Sequence, residues 1–228
     1  MKKVSNSEIE RLYRFTREHF VVYYDVQTEL VDHLANGIEC QWQDDPGISF
    51  EQALQKEFKK FGVYGFSDVV EKRERAMGKK YHKLILKEII TILKRPKVSV
   101  SMLLIFWLSN FFLNLENGQN AYLTFLFIVL FILLIFVGRR SVRRRKAKEG
   151  KKVFLFETMI ENAGGYFSLV WVPFQLLNFM DAAEAGYINW LMSFLIAFYA
   201  LTSYVCFFRL PKNKEEILKK VYPKMKYS

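Results

Sequence analysis

The sequence predicts an all-α protein, an N-terminal cytosolic helical bundle followed by four transmembrane helices. Three observations carry that expectation. Apolar residues make up 51% of the 228-residue chain, with 22 Phe among them. Four long stretches, residues 98–115, 121–138, 163–180 and 187–208, contain no Lys or Arg. Before residue 98 the apolar residues recur at the three-and-four spacing of amphipathic helices.

The four stretches are long enough to cross a bilayer. A helix rises about 1.5 Å per residue, so eighteen residues reach roughly 27 Å, close to the ~30 Å hydrocarbon core. "VSVSMLLIFWLSNFFLNL" and "AYLTFLFIVLFILLIFVG" carry no charge at all, while "AGGYFSLVWVPFQLLNFM" and "YINWLMSFLIAFYALTSYVCFF" are uncharged but hold more polar atoms. Burial inside a soluble core is the competing explanation, and a chain this short has too little remaining protein to cover four such helices.

The formal net charge of +11 raises the question of a nucleic-acid partner. Its distribution answers otherwise. Every basic residue falls in residues 1–97, 139–152 or 209–228, and the two remaining connections, "ENGQN" and "DAAEAG", hold acidic residues and no basic one. Positive charge kept to alternate loops is the pattern that fixes membrane orientation. It predicts the N-terminus, the middle loop and the C-terminus on the cytoplasmic side, with two tight turns outside. The middle loop carries Arg139, Arg140, Arg143, Arg144 and Arg145, a basic surface suited to lipid headgroups. The partners expected on these grounds are the lipid bilayer and no nucleic acid. Cys40 and Cys206 stand apart, outside any disulfide or zinc pattern, and no cofactor is expected. The start, "MKKVSNSEIERL", turns polar at once and lacks the apolar core of a cleavable signal, so the first span is expected to direct insertion.

Residues 1–78 read as a helical domain whose acidic and basic side chains nearly balance. "SEIE" at 7–10 has the capping-box spacing, placing a first helix near 7–20. A second begins at Tyr24 or Asp25, with Val26, Leu30, Leu34 and Ile38 along one stripe, and ends near Trp42 before Pro46 and Gly47. "SFEQ" at 49–52 repeats the capping box, and Phe50, Ala53, Leu54, Phe58 and Phe61 form the face of a third helix that Gly62 stops. Ser67 is placed to cap a fourth. Residues 79–97 continue it as a basic amphipathic connector, with Tyr81, Leu84, Ile85, Ile89 and Ile92 on the apolar side. That side suits either the membrane surface or the soluble domain. Pro96 ends the connector before the first span, and residues 209–228 form a basic cytosolic tail.

Two segments carry a family resemblance. "YYDVQTELVDHLANGIE" and "GISFEQALQKEFKKFG" place Glu29, Asp32, His33 and Leu34, then Ser49, Glu51, Ala53 and Leu54, then Phe61 and Gly62, in the pattern of an acidic E-x-x-D-H-L helix, a Ser-started helix and a closing apolar-Gly pair. Residues 7–62 thereby resemble the HAAS-type helical prefix domains that precede membrane segments in bacterial permease-like proteins. The closing pair departs from the usual Leu-Gly, and a long basic helix stands where a short linker is usual. The resemblance implies a cytosolic helical module attached to a protein of the bacterial cytoplasmic membrane; it implies no catalytic residue.

Candidate chemistry falls in two places. Asp25, Glu29, Asp32 and His33 share one stretch of the second helix, where a metal site would need further ligands that His19 and His82 are not spaced to supply. They read instead as a polar face able to meet a cytosolic protein partner or a second copy, with Arg11, Arg14 or Arg17 as neighbours. Before and within the third stretch, Glu157, Glu161, Asn162, Gln175 and Asn178 would line a polar path for a small solute or ion if they lay at membrane depth, and would be interfacial residues or interhelical contacts otherwise. Asn189, and the small pairs Gly164 with Ser168 and Ser193 with Ala197, suit close helix packing. No phosphate loop, dinucleotide fingerprint, zinc-protease motif or nucleophile elbow is present, so catalysis is not expected. The function implied is a multi-pass membrane protein with a cytosolic interaction or regulatory module, and its alternative is a small-solute or ion transporter.

Overall fold

The structure, a computed structural model, describes residues 2–115, 152–162 and 186–223, with isolated helical positions between 124 and 143. Every element among the described residues is helical. The chain divides into two compact units, Met1–Lys79 with Gly150–Phe156 and Lys80–Glu149 with Glu157–Ser228.

The first unit holds α1 (Asn6–Glu18), α2 (Tyr24–Asp44), α3 (Phe50–Lys59) and the first part of α4 (Ser67–Leu93). Helix α1 starts earlier than "SEIE" predicts. The capping box is Ser5 with Glu8: the Glu8 amide donates to the Ser5 hydroxyl at 3.4 Å and the Ser5 amide donates to Glu8 Oε2 at 2.7 Å. The reason is local, since "SNSE" has the same spacing two residues upstream. Its end is also early. Val21 N–H donates to Thr16 C=O and Phe20 N–H to Arg17 C=O, the paired bonds of a Schellman cap. The cap puts Phe20 at φ +63°, a left-handed position usually given to Gly.

The apolar stripe of α2 is buried as its spacing predicts: Val26, Leu30, Leu34, Ile38 and Trp42 all lie inside. Trp42 Nε1 donates to Ile48 C=O at 3.0 Å and so closes the loop into α3. The second capping box forms as predicted, Ser49 with Gln52. Gly62 follows α3 at φ +78°. Ser67 is the first residue of α4 rather than a cap preceding it. Phe15, His19, Phe58, Phe61 and Phe66 pack ring against ring where α1, α3 and the turn before α4 meet.

The second unit holds the rest of α4, then α5 (Pro96–Leu113), most of α6 (Leu155–Glu161), α7 (Gly186–Tyr204), a wide π-helical turn at Val205–Arg209, α8 (Leu210–Lys212) and α9 (Lys214–Val221). Pro96 starts α5 at its first position, where its missing N–H costs nothing. The π turn sits where Pro211 supplies no N–H to Phe207 C=O, four residues back, and the widened backbone makes room for the ring. Among the described residues two helical stretches are long and apolar enough to cross a membrane, Pro96–Leu113 and Tyr187–Lys212. They coincide with the first and fourth predicted spans. The third, 163–180, lies outside the described residues, and the second, 121–138, is described only at isolated helical positions.

The apolar side of the connector is buried at Tyr81, Ile85, Ile89 and Ile92, all of them in the second unit. Its neighbour is the end of the last long helix. Arg209 Nε bonds Glu88 Oε2 at 3.2 Å, and Cys206 lies against Tyr81.

Candidate functional site

The predicted polar face of α2 separates into one buried residue and three exposed ones. Asp25 is 2% exposed. One of its carboxylate oxygens accepts from the Leu155 N–H at 3.1 Å, the first amide of α6. One residue earlier, Tyr24 N–H, the first amide of α2, donates to Val153 C=O at 2.7 Å. Asp25 thus satisfies one orphan N–H of α6 and the segment leading into α6 satisfies one of α2, and a carboxylate at a helix start is also favoured by the helix dipole. Phe154 meets the Tyr24 ring edge-on, and Lys152 Nζ stands 4.2 Å from the centre of that ring. Burial pushes the Tyr24 phenol up, but Lys152 and the hydrogen bond from Tyr13 outweigh it and leave the group below its ordinary value.

Of the predicted polar face, Asp25 is therefore enclosed, and Glu29, Asp32 and His33 are exposed. Glu29 pairs with Arg73 of α4 at 3.3 Å, and the His33 ring meets Phe61 edge-on at 5.6 Å. The expected pairing of these acids with α1 is not formed. Arg11 instead reaches Glu18 and Glu51, each at 3.1 Å.

A buried carboxylate that the sequence did not single out lies between α2 and α3. Glu57 is 2% exposed, and its Oε1 accepts from Gln41 Nε2 and Lys60 Nζ, each at 2.5 Å. Gly37 makes this possible, because a Cβ there would collide with the Glu57 carboxylate. A glycine inside a 21-residue helix was the available signal.

Glu157 and Glu161 are brought together, as their spacing of four predicts, and both meet a third residue. Lys214 Nζ donates to Glu157 Oε1 at 2.8 Å and to Glu161 Oε1 at 2.9 Å. Burial lowers the Lys214 ammonium's pKa, and the bonds and charges of the two carboxylates raise it more, leaving it above its ordinary value. Asn162 caps the end of α6, its N–H donating to Thr158 C=O. Gln175 and Asn178 lie outside the described residues, as do Arg140, Arg144 and Arg145. Arg139 and Arg143 fall at isolated helical positions, with Arg143 exposed.

Interhelical amide contacts do form between the two span-length helices. Asn189 Nδ2 of α7 donates to Leu113 C=O at 3.3 Å and to Asn114 Oδ1 at 3.0 Å. Beside them Phe106, Trp107 and Trp190 pack as a triplet. Ser193 and Ala197 are buried on α7, as the small-residue spacing predicts; Gly164 and Ser168 lie outside the described residues.

Among the described residues no three of His, Cys, Asp and Glu are grouped to hold a metal ion. Comparisons with protein-family models, curated proteins and solved structures returned no match for this chain.

Proposed function

We propose that this is a four-span protein of the bacterial cytoplasmic membrane whose cytosolic helical unit recruits a protein partner, either a cytosolic protein or a second copy. The observation that carries the membrane half is an inversion. On α5 and α7 the side chains turned outward are Leu103, Leu104, Trp107, Leu108, Phe111, Trp190, Leu191 and Phe194, while Ser109, Asn110 and Ser193 are buried. Apolar side chains outside and polar ones between helices suit a hydrocarbon solvent.

The recruitment half is supported by the first unit's closed core and by an exposed polar face at Glu29, Asp32 and His33. The resemblance to a HAAS-type prefix domain points the same way. Transport fits less well. It needs Glu157 and Glu161 at membrane depth with a task, whereas both are held by Lys214, two residues beyond the end of a span-length helix.

The test uses the full chain in lipid nanodiscs, because Val153–Leu155 completes the first unit and a piece ending at residue 78 would lack it. Wild type is expected to self-associate or to co-purify with a cytosolic protein, and the pair Glu29→Lys with Asp32→Lys to lose that association while keeping its helical content. A wild type that is monomeric and partner-free would overturn the recruitment reading.

A further inference from the structure

The outward face of the second half of α4 is built for an acidic lipid surface. At 100° per residue, Tyr81, Ile85, Ile89 and Ile92 share one side of the helix, and all four are buried. About 110° round the helix from them, Leu86, Ile90 and Leu93 form a second apolar stripe at steps of four and three, and they are 57%, 58% and 40% exposed. Lys80, Lys83, Lys87 and Lys94 run along the edge of this stripe, all exposed. The one acid in residues 79–97 is Glu88, which lies toward the buried side and is paired with Arg209. The exposed face is thus apolar along one flank and cationic beside it, opposite the buried side, with no anion of its own to neutralise it.

Position narrows the choice of occupant. Ile90 precedes Pro96, the first residue of a span-length helix, by six residues, or about 9 Å of helical rise. The chain breaks between the two helices at Lys94 and Arg95, where Arg95 takes extended backbone angles, so α4 need not continue the direction of α5. A helix end tied this closely to a span lies near the headgroups. There exposed Leu and Ile side chains can enter the acyl boundary, and lysine stems can follow them while their ammonium groups stay among phosphates.

We infer that Leu86, Ile90 and Leu93, with Lys80, Lys83, Lys87 and Lys94, dock α4 onto the anionic headgroups of the bilayer that α5 crosses. The occupant is a lipid surface rather than a protein, because a row of lysines beside a narrow apolar stripe matches a continuous sheet of phosphates. This rests on the membrane reading of α5, and the experiment separates the two.

The full chain carries Cys40→Ser, which removes the exposed native thiol, and keeps the buried Cys206. An environment-sensitive fluorophore is placed at Ile90→Cys or, in a second protein, at Leu104→Cys on α5. Each is reconstituted in nanodiscs of phosphatidylcholine alone or mixed with phosphatidylglycerol, with and without a lipid-borne nitroxide quencher. Expected is a label at residue 104 quenched in both lipids, and a label at residue 90 that shifts to the blue and is quenched only with phosphatidylglycerol. High salt, or the pair Lys83→Glu with Lys87→Glu, should reverse the shift at residue 90 and leave residue 104 unchanged. Residue 104 in lipid with residue 90 in water under every condition would overturn the docking and leave the span standing. A blue shift at residue 90 without lipid quenching would overturn it in favour of a protein covering the face. Quenching at residue 90 that ignores both phosphatidylglycerol and lysine charge would overturn the anionic requirement. Absence of quenching at residue 104 as well would overturn both readings.

Discussion

The two units treat the same kind of residue in opposite ways. In the first, Leu12, Val26, Leu30, Leu34, Ile38 and Leu54 are at most 2% exposed, and charged residues cover the outside. In α5 and α7 of the second, Leu103, Leu104, Trp107 and Phe194 are more than half exposed, while Ser109 and Ser193 are fully buried. Hydrophobicity alone does not decide which side of a helix is inside. What differs is the run. The stripe of α2 is interrupted at every turn by Glu29, Asp32 or Asn36, so only one side is apolar, whereas α5 from Val98 to Leu113 has no charged residue on any side. A helix that is apolar all round has no polar face to give to water and must be surrounded by something apolar.

The strongest test of this comparison places the same substitution in each unit. Leu34→Ala, at a fully buried position, should cost about 2–5 kcal/mol through lost burial and the cavity left behind. Leu104→Ala, on an outward face, leaves no internal cavity and should change thermal stability in detergent little. Thermal unfolding of both variants would measure the difference, and equal losses would mean that α5 is not turned outward. A charge sharpens the contrast: Leu104→Arg should oppose membrane insertion by about 2.5–3.5 kcal/mol, read as the fraction extracted from membranes by alkali.

Gly37 gives the next largest effect. Gly37→Ala forces a methyl group into the Glu57 carboxylate, and overpacking of this kind costs about 1–3 kcal/mol, more than the helix-propensity gain of removing a glycine. Replacing Glu57 by Ala in the same chain should recover part of the loss in a double-mutant cycle, since the clash is with that side chain. Additive losses would mean that the helices can separate without cost.

These positions also mark what the sequence made readable. The stripe from Val26 to Ile38, the capping box at Ser49 and long apolar helices in 98–115 and 187–208 depend on neighbours within a turn or two, and the structure has the stripe buried, the box formed and two helices there long and apolar enough to cross a membrane. The competing capping box at Ser5 was equally local, but two matching patterns overlap and only packing chooses between them. Asp25 was beyond reach for a different reason: its partner is Leu155, 130 residues away, and no local pattern announces such a bond. The same holds for Lys214, which joins two carboxylates spaced like a site into a part-buried ion cluster with a lysine from another helix. Of the candidate site, Glu29, Asp32 and His33 keep the exposure expected of them.

In the second unit the Lys214 contact attaches α9 to α6 and should depend on pH in one direction. Because the Lys214 pKa is raised when folded, its contribution is complete below the ordinary lysine pKa of 10.5 and fades as pH rises through the raised value. Hydrogen exchange of the α9 amides should be flat with pH, after correction for intrinsic rates, until that range and then quicken. Lys214→Met should remove the step and leave exchange fast throughout. A wild-type profile identical to the variant's would show that the contact does not hold α9.

A smaller effect, of opposite sign, is expected at Phe20. Its φ of +63° suits Gly, and its ring is 91% exposed and packs on little. Phe20→Gly should stabilise the first unit by about 1 kcal/mol, as a rise in its melting temperature, because the strain of a left-handed position is removed with almost no loss of burial. A loss of stability would show that the aromatic ring has contacts worth more than that strain.

The smallest effect belongs to the exposed pair Glu29 and Arg73, and its smallness is informative. Both side chains are more than a third exposed, so water and salt screen the attraction at 3.3 Å and the pair is worth about 0–1 kcal/mol. Glu29→Gln should therefore leave the unfolding midpoint nearly unchanged, and 1 M salt should erase what difference there is. The same substitution lies on the face assigned to a partner. If association falls while stability holds, the residue belongs to recognition rather than to folding, and the contrast with Leu34 is complete: one side chain builds the unit and the other presents it. If stability falls by more than about 1 kcal/mol, the face is part of the fold's own support and the partner surface must lie elsewhere on the unit.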